Sequence, residues 1–259
     1  MSNHNWIIKK IKICSGNIDS ITRSSAKVIQ EIMLTVKING EPLANIACAG
    51  THLEELTAGF LRSERIISRK NEIESIKISK NKSCANVILK SKKNIPNASI
   101  KNIASSGARG KTNIELLKPL NIPVGLNVKT SLVLKLMDEL LNESALHNQT
   151  GGTHCSALAF GKKIVALRED IGRHNTIDML GGYALLKKIN LQKGIILTTG
   201  RISSEIVYKV WNMGVPAIIS HSAPTANAVE LTRRTNILLI GYVRHGNMNI
   251  YSQERQVII

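Results

Sequence analysis

Five short apolar runs in the second half of the chain constrain its fold more than any other feature. They are Ser156 to Phe160, Ile164 to Leu167, Gly194 to Thr198, Pro216 to Ser220 and Ile237 to Tyr242. Runs this short, bounded by polar and glycine-bearing turns, read as buried strands, and segments of helix length separate the last three. Ahead of them, Leu132, Leu136, Met137, Leu140 and Leu141 mark one face of a helix. The rhythm predicts a layered α/β domain in which helices cover a largely parallel sheet. Loops that follow parallel strands emerge at one edge, the carboxyl ends, and ligands bind there.

The loops expected at that edge are rich in polar groups. Glu169-Asp170-Ile171-Gly172-Arg173-His174-Asn175 opens an amphipathic segment carrying Ile177, Leu180, Tyr183 and Ala184. A strand-to-helix junction aims backbone N–H groups and the positive end of a helix dipole at whatever lies above it. Thr198 to Glu205 follows the next run, with Arg201 beside Gly200 and Ser203 placed as an N-cap. Ser220 to Thr225 follows another, including Ser222 and a Pro224 suited to a first helical turn. Singly, each loop is also explained by capping, because Asp170 and Asn175 are common cap residues and Arg173 suits a surface ion pair. Together, three polar loops at one edge, two of them with arginine, predict a shared anion pocket.

Two further segments bear on that pocket. In Gly151-Gly152-Thr153-His154-Cys155-Ser156, His154 can reach the pocket mouth. Cys155 then points to the opposite face of the strand and suits a small buried hydrophobe. Tyr242-Val243-Arg244-His245-Gly246-Asn247 is a basic turn that either ends a terminal hairpin or adds Arg244 to the same crevice. His147, His154, His174, His221 and His245 show none of the usual short metal-ligand spacings, so no metal site is expected.

The first half reads differently. Glu31 to Ile38 and Pro42 to Ala49 flank Asn39-Gly40, a strong hairpin signal. Thr51-His52-Leu53-Glu54 has the pattern of a capping box at the start of a helix. Ile73 to Ile78 and Cys84 to Leu89 alternate as strands. Ser105 to Lys111 reads as an inter-domain segment, which divides the chain into a small α+β domain at residues 1–112 and an α/β domain at 113–259.

Composition narrows the partners. Lys and Arg number 35 against 18 acids, for a net charge of +17, which favours anionic partners. Aromatic residues make up only 3%, so no stacking platform for single-stranded nucleic acid is evident. The dispersed lysines, among them Lys9, Lys10 and Lys12, suit a solvated basic face, a small phosphorylated ligand or an acidic protein. No apolar run reaches the roughly 20 residues of a membrane span. Without a secretion-type N-terminus, a cytoplasmic location is expected. The four scattered cysteines, Cys14, Cys48, Cys84 and Cys155, form neither a zinc ribbon nor a disulfide framework.

Several of these segments form a pattern. Thr150 to His154 gives TGG-x-H, Glu169 to Asn175 gives EDIGRHN with Asp178 beyond, and Gly200 to Ser203 gives GR-x-S. Ser222 to Thr225 gives SAPT, followed by Ala228 to Leu231, and the G-x-x-R of Gly241 to Arg244 closes the series. With the Asn39-Gly40 strand and the Glu54 to Leu61 helix, these resemble the formate dehydrogenase accessory sulfurtransferase family, FdhD/NarQ, over nearly the whole chain. The resemblance implies a C-terminal cytidine-deaminase-like three-layer domain, a smaller N-terminal α+β domain and a homodimer. It implies a sulfur carrier that takes persulfide sulfur from a cysteine desulfurase. The sulfur passes to the bis-molybdopterin guanine dinucleotide cofactor of formate dehydrogenase, whose nucleotide end GDP or GTP mimics. Asp170, Arg173, His174, Asn175, Arg201, Ser203, Ser222, Thr225 and the stretch Tyr242, Val243, Arg244, His245, Gly246 and Asn247 would line the cofactor site.

One departure matters. The family's SSCGVCG loop, whose first cysteine bears the persulfide, is Ser105-Ser106-Gly107-Ala108-Arg109-Gly110 here. Sulfur relay needs a thiolate, and Cys155 is the cysteine nearest the expected pocket. The rival expectations are a cofactor-binding chaperone without sulfur transfer and, from another class, a basic nucleic-acid-binding protein.

Overall fold

The computed structural model describes residues 6–91, 101–103, 117–120 and 127–259. In chain order, Ile8–Gly16 (β1) and Ile21–Ile29 (β2) form a hairpin, followed by Ile32–Ile38 (β3), Glu41–Cys48 (β4) and the helix Leu53–Ser63 (α1). Ile73–Ile78 (β5), Cys84–Leu89 (β6), Lys101–Ile103 (β7) and Val128–Lys129 (β8) lead to helices Thr130–Glu143 (α2) and Ala145–Thr150 (α3). Then come His154–Phe160 (β9), Lys163–Asp170 (β10), Arg173–Lys187 (α4), Gly194–Thr198 (β11) and Ser204–Met213 (α5). Ala217–Ser220 (β12), Ala226–Thr235 (α6), Leu238–Arg244 (β13), Asn247–Ser252 (β14) and Val257–Ile258 (β15) complete the series.

The five apolar runs fall on β9 to β13. They form a six-stranded sheet ordered β10-β9-β11-β12-β13-β14. It is mixed rather than largely parallel. Only β11, β12 and β13 pair in parallel, while β9 is antiparallel to both its neighbours. The turn between β9 and β10 is far too short for the crossover a parallel pair requires. Two reversals cancel, however, so β10 points the same way as the parallel trio. The loops after β10, β11 and β12 therefore still share an edge. Alternate residues face opposite layers: Leu158, Ile196, Ile218 and Leu239 pack with α4, α5 and α6, whereas Ala157, Leu197, Ile219 and Ile240 pack with α2.

The five-stranded sheet of the first half is ordered β5-β6-β3-β4-β7. Asn39 and Gly40 both have positive φ, 50° and 94°, as a two-residue hairpin turn requires. This sheet buries Leu34, Val36, Ile46 and Val87 against α1 together with Met179 and Leu185 of α4. Helix α4 thus serves both sheets. The expected amphipathic segment is in fact buried from His174 to Leu185 apart from Tyr183, the pattern of a helix covered on all sides.

Two glycines let α1 and α4 touch backbone to backbone. A Cβ on Gly182 would lie 1.9 Å from the Glu55 carbonyl oxygen, and one on Gly59 would lie 1.7 Å from that of Asp178. A mid-helix glycine costs about 1 kcal/mol relative to alanine, and here only its missing side chain permits the crossing. Beside it, Lys209 Nζ and Ser63 Oγ both donate to Asp178 Oδ1, which pairs a fully buried cation and anion.

The expected capping box does not form. His52 occupies the N-cap of α1 in the left-handed region, with no side-chain cap. The Thr51 hydroxyl instead donates to the Glu169 carbonyl, 3.3 Å away, so a long-range contact takes the group that local capping would use. The expected domain boundary at 112/113 and the segment Ser105 to Lys111 lie outside the described residues. No helix among the described residues is long and apolar enough to cross a membrane.

Candidate functional site

The first loop divides its polar residues between two tasks. The Asp170 carboxylate accepts from Ala49 N (2.8 Å), Gly172 N (2.9 Å) and Asn175 Nδ2 (2.7 Å), and Asn175 Nδ2 also donates to the Ala47 carbonyl. Both side chains are buried and tie the loop to β4. Glu169 accepts from the backbone N–H groups of Leu146 and His147 at the start of α3 and so holds that helix beside β10. These three residues build the wall from behind. Burial pushes Asp170 up to about 6, opposed by the hydrogen bonds from Ala49, Gly172 and Asn175.

Arg173 and His174 lie against the next loop, beside Gly200 and Glu205. Gly200 makes room for Arg173: a Cβ there would lie 2.9 Å from the arginine's own Cβ. Arg173 Nε is buried and finds no hydrogen-bond partner among the described residues. Burial lowers the Arg173 pKa, and the neighbouring Arg201 lowers it further. His174, 2% exposed, places Nε2 3.3 Å from Glu205 Oε2, and its Nδ1 has no hydrogen-bond partner. Burial depresses its pKa, with Glu205 opposing.

Hydrogen bonds stitch the remaining loops together. Ser220 Oγ donates to the Gly200 carbonyl, Thr225 N to the Ile202 carbonyl and Tyr242 N to the Ser222 carbonyl. The Ser203 hydroxyl sits at the N-cap of α5 yet makes no cap bond and is buried without a partner. Thr225, rather than Pro224, opens α6: its hydroxyl accepts from Ala228 N. Arg244 stacks its guanidinium 3.4 Å above the Tyr242 ring and leaves Nε buried and unpartnered. Val243 is 1% exposed and belongs to the core against α2, whereas His245, Gly246 and Asn247 are exposed.

A cleft of about 410 Å³ opens along this edge, lined in part by His147, Gly152, His154, Thr199 and His221. Burial lowers the pKa of His154, with Arg173, His147, His174 and Arg201 adding to the effect. Burial likewise lowers that of His221, followed by Arg244, His245 and His147. Neutral imidazoles among arginines, with Glu205 as the acid at the start of α5, make a site short of negative charge. Unpartnered buried N–H and O–H groups are costly, and an oxyanion ligand would satisfy them through charge-assisted bonds. Among the described residues, no three His, Cys, Asp or Glu side chains form a group able to hold a metal.

Cys155 is fully buried on the α2 side of the sheet. Its thiol donates to Glu169 Oε1, and burial pushes it up to about 12. A protonated, inaccessible thiol is a core group rather than a nucleophile. Cys48 is likewise buried and pushed up to about 12 by burial.

Residues 29–258 match the model of the FdhD/NarQ family. The chain belongs to the FdhD/NarQ family. A Bacillus licheniformis relative called sulfur carrier protein FdhD is 35% identical over 242 residues, covering 92% of each chain. A Staphylococcus haemolyticus protein of the same name is also 35% identical, over 244 residues and 92% of each chain. The crystal structure of a putative formate dehydrogenase accessory protein from Desulfotalea psychrophila superposes with a TM-score of 0.81 at 22% identity, covering 97% of this chain and all of that one. That likeness shows the shared mixed α/β fold.

Of the family segments, Gly151 to His154 and Ile171 line the cleft. Of the residues that sequence reasoning gathered at one edge, His154 lines this cleft, whereas Arg173, Arg201, Ser203 and Arg244 are not among its lining residues. Sequence reasoning missed Glu205, although that residue closes the Thr198 to Glu205 loop, and it missed His147 and Thr199, which line the cleft. His147 arrives through α3, whose signal is one short turn after Ser144, and nothing local marks it as part of the site.

Proposed function

We propose that this chain is a sulfur carrier for formate dehydrogenase maturation, and that its cleft holds the guanine dinucleotide end of a molybdenum cofactor as cargo. The observation that carries this reading is a set of buried groups at one sheet edge that find no partner among the described residues: Arg173 Nε, Ser203 Oγ and Arg244 Nε. Guanidinium forks suit phosphate oxygens. In this reading residues 113–259 form the cytidine-deaminase-like domain, residues 1–112 the smaller domain, and the protein works in the cytoplasm as a homodimer.

The sulfur must then ride on an accessible thiol. Cys14 is exposed and Cys84 half-buried, whereas Cys48 and Cys155 are buried. The carrier thiolate would attack the outer sulfur of a persulfide on the cysteine desulfurase, forming the carrier's persulfide as the donor S–S bond breaks and the desulfurase cysteine leaves as its thiolate.

Two measurements test the two halves. After incubation with a cysteine desulfurase and cysteine, cyanide should release thiocyanate from the protein; no labile sulfur would leave a cofactor-binding chaperone. GDP should bind, and Arg173→Ala should weaken binding at least tenfold. Absent GDP binding combined with salt-sensitive DNA binding would overturn the cofactor site in favour of a nucleic-acid protein.

A further inference from the structure

The β1–β2 hairpin is a free-standing two-stranded sheet that pairs Ile8 with Ile29 through Gly16 with Ile21. Two-stranded ribbons are marginal alone, and among the described residues this one is anchored at its base. There Ile8 and Ile29 pack with Ile7, Ala49, Leu146 and Ile171, and Lys27 Nζ donates to Gln149 of α3.

Residues directly opposite in an antiparallel pair share a face, and alternate residues along a strand change face. The register therefore puts Lys10 with Lys27, Lys12 with Ser25 and Cys14 with Arg23 on the face of Ile8 and Ile29. The opposite face carries Ile11 with Ala26, Ile13 with Ser24 and Lys9 with Val28. One face gathers four cations and no acid. It is also the face turned toward α3 at its base, where Ile29 abuts Gly152, a residue of the cleft rim. Lysines on exposed edges protect against strand pairing, but that purpose does not require them on one face beside the cleft.

We propose that this basic face is the docking surface for an acidic protein partner, which it holds against the rim of the cleft. A copy of the same face, with its four cations and no acid, would repel it, so the homodimer would use another surface. The hairpin strands also carry no aromatic side chain on which bases of a single strand would stack. Steering by such a face acts chiefly on the association rate and fades with salt. The inference rests on the sulfur-carrier reading for its choice of probe, a cysteine desulfurase and a formate dehydrogenase.

The test compares neighbours of equal charge on opposite faces in the full chain. Lys10→Glu and Lys12→Glu should each slow association with at least one of the two probes about fivefold at low salt, and both together more than tenfold. Lys9→Glu, on the other face, should change it less than twofold. GDP binding should stay unchanged in all of them, which separates failure of the hairpin from failure of the cleft. Equal effects of Lys9→Glu and Lys10→Glu would reduce the face to net charge and overturn the proposal. Wild-type binding of neither probe would overturn both the proposal and the sulfur-carrier reading. So too would a variant that loses only duplex DNA, phosphatidylglycerol vesicles or self-association while keeping both probes overturn the proposal. Lys10→Gln and Lys12→Gln, expected at intermediate rates, cover the case of a charge-reversed chain that misfolds.

Discussion

The α1–α4 contact and the loop edge of the six-stranded sheet lie a few residues apart along α4 and follow opposite rules. At the contact, helices meet without side chains at Gly59 and Gly182, and the buried charges Asp178 and Lys209 are paired. At the edge, buried polar atoms of Arg173, Ser203 and Arg244 find no partner among the described residues. The heptad from Glu169 to Asn175 follows both rules: Asp170 and Asn175 are partnered and secure the loop to β4, whereas Arg173 Nε finds no partner among the described residues. The difference shows that residue type alone does not separate scaffold from site. What separates them is whether each donor and acceptor finds its partner within the protein.

Breaking the contact should cost most. Gly182→Ala should destabilise the fold by about 3 kcal/mol, the upper end of what overpacking typically costs, seen as a lower urea midpoint. Lys209→Ala strands the Asp178 carboxylate in the core and should cost about 3–5 kcal/mol in the same assay. An intact midpoint in either variant would mean the helices can separate without loss.

Asp170 gives a prediction tied to pH. Its folded-state pKa, about 6 against an ordinary 3.8, is raised, so between those values the folded chain binds the extra proton and stability falls as pH rises. The urea-derived advantage of wild type over Asp170→Asn should therefore shrink from pH 4 to pH 6 and level off above. An advantage that grows over this window would mean the hydrogen bonds outweigh burial.

The smallest effects sharpen the same contrast at two N-caps. Thr225→Ala removes a cap that is made and should cost about 1 kcal/mol. Ser203→Ala removes a hydroxyl that caps nothing and should leave the midpoint within about 0.5 kcal/mol, while weakening GDP binding. A cost equal to that of Thr225→Ala would return Ser203 to the scaffold.

Strands β3 to β6 and β9 to β13 were legible because each carries an apolar run or alternation between clear turns. Strand direction was not: the run in β9 looks the same whether parallel or antiparallel, and only the length of its connection to β10 settles it. The β1–β2 hairpin escaped notice because most of its residues are exposed, so no buried side imposes a period. At the site, the loops were legible from their polar residues, but orientation was not. Asp170 and Asn175 find their partners in Ala47 and Ala49, more than a hundred residues away, and no local pattern records that. The capping box at Thr51 failed for the same reason, and Cys155 drew attention by its neighbours although the α2 layer covers it.

The paired glycines at the helix crossing have a consequence for motion. Backbones in direct contact cannot slide without collision, and the salt bridge beside them resists separation. The two sheets should therefore move as one frame. A hinge between the two halves would first have to part these backbones and break the Asp178–Lys209 pair.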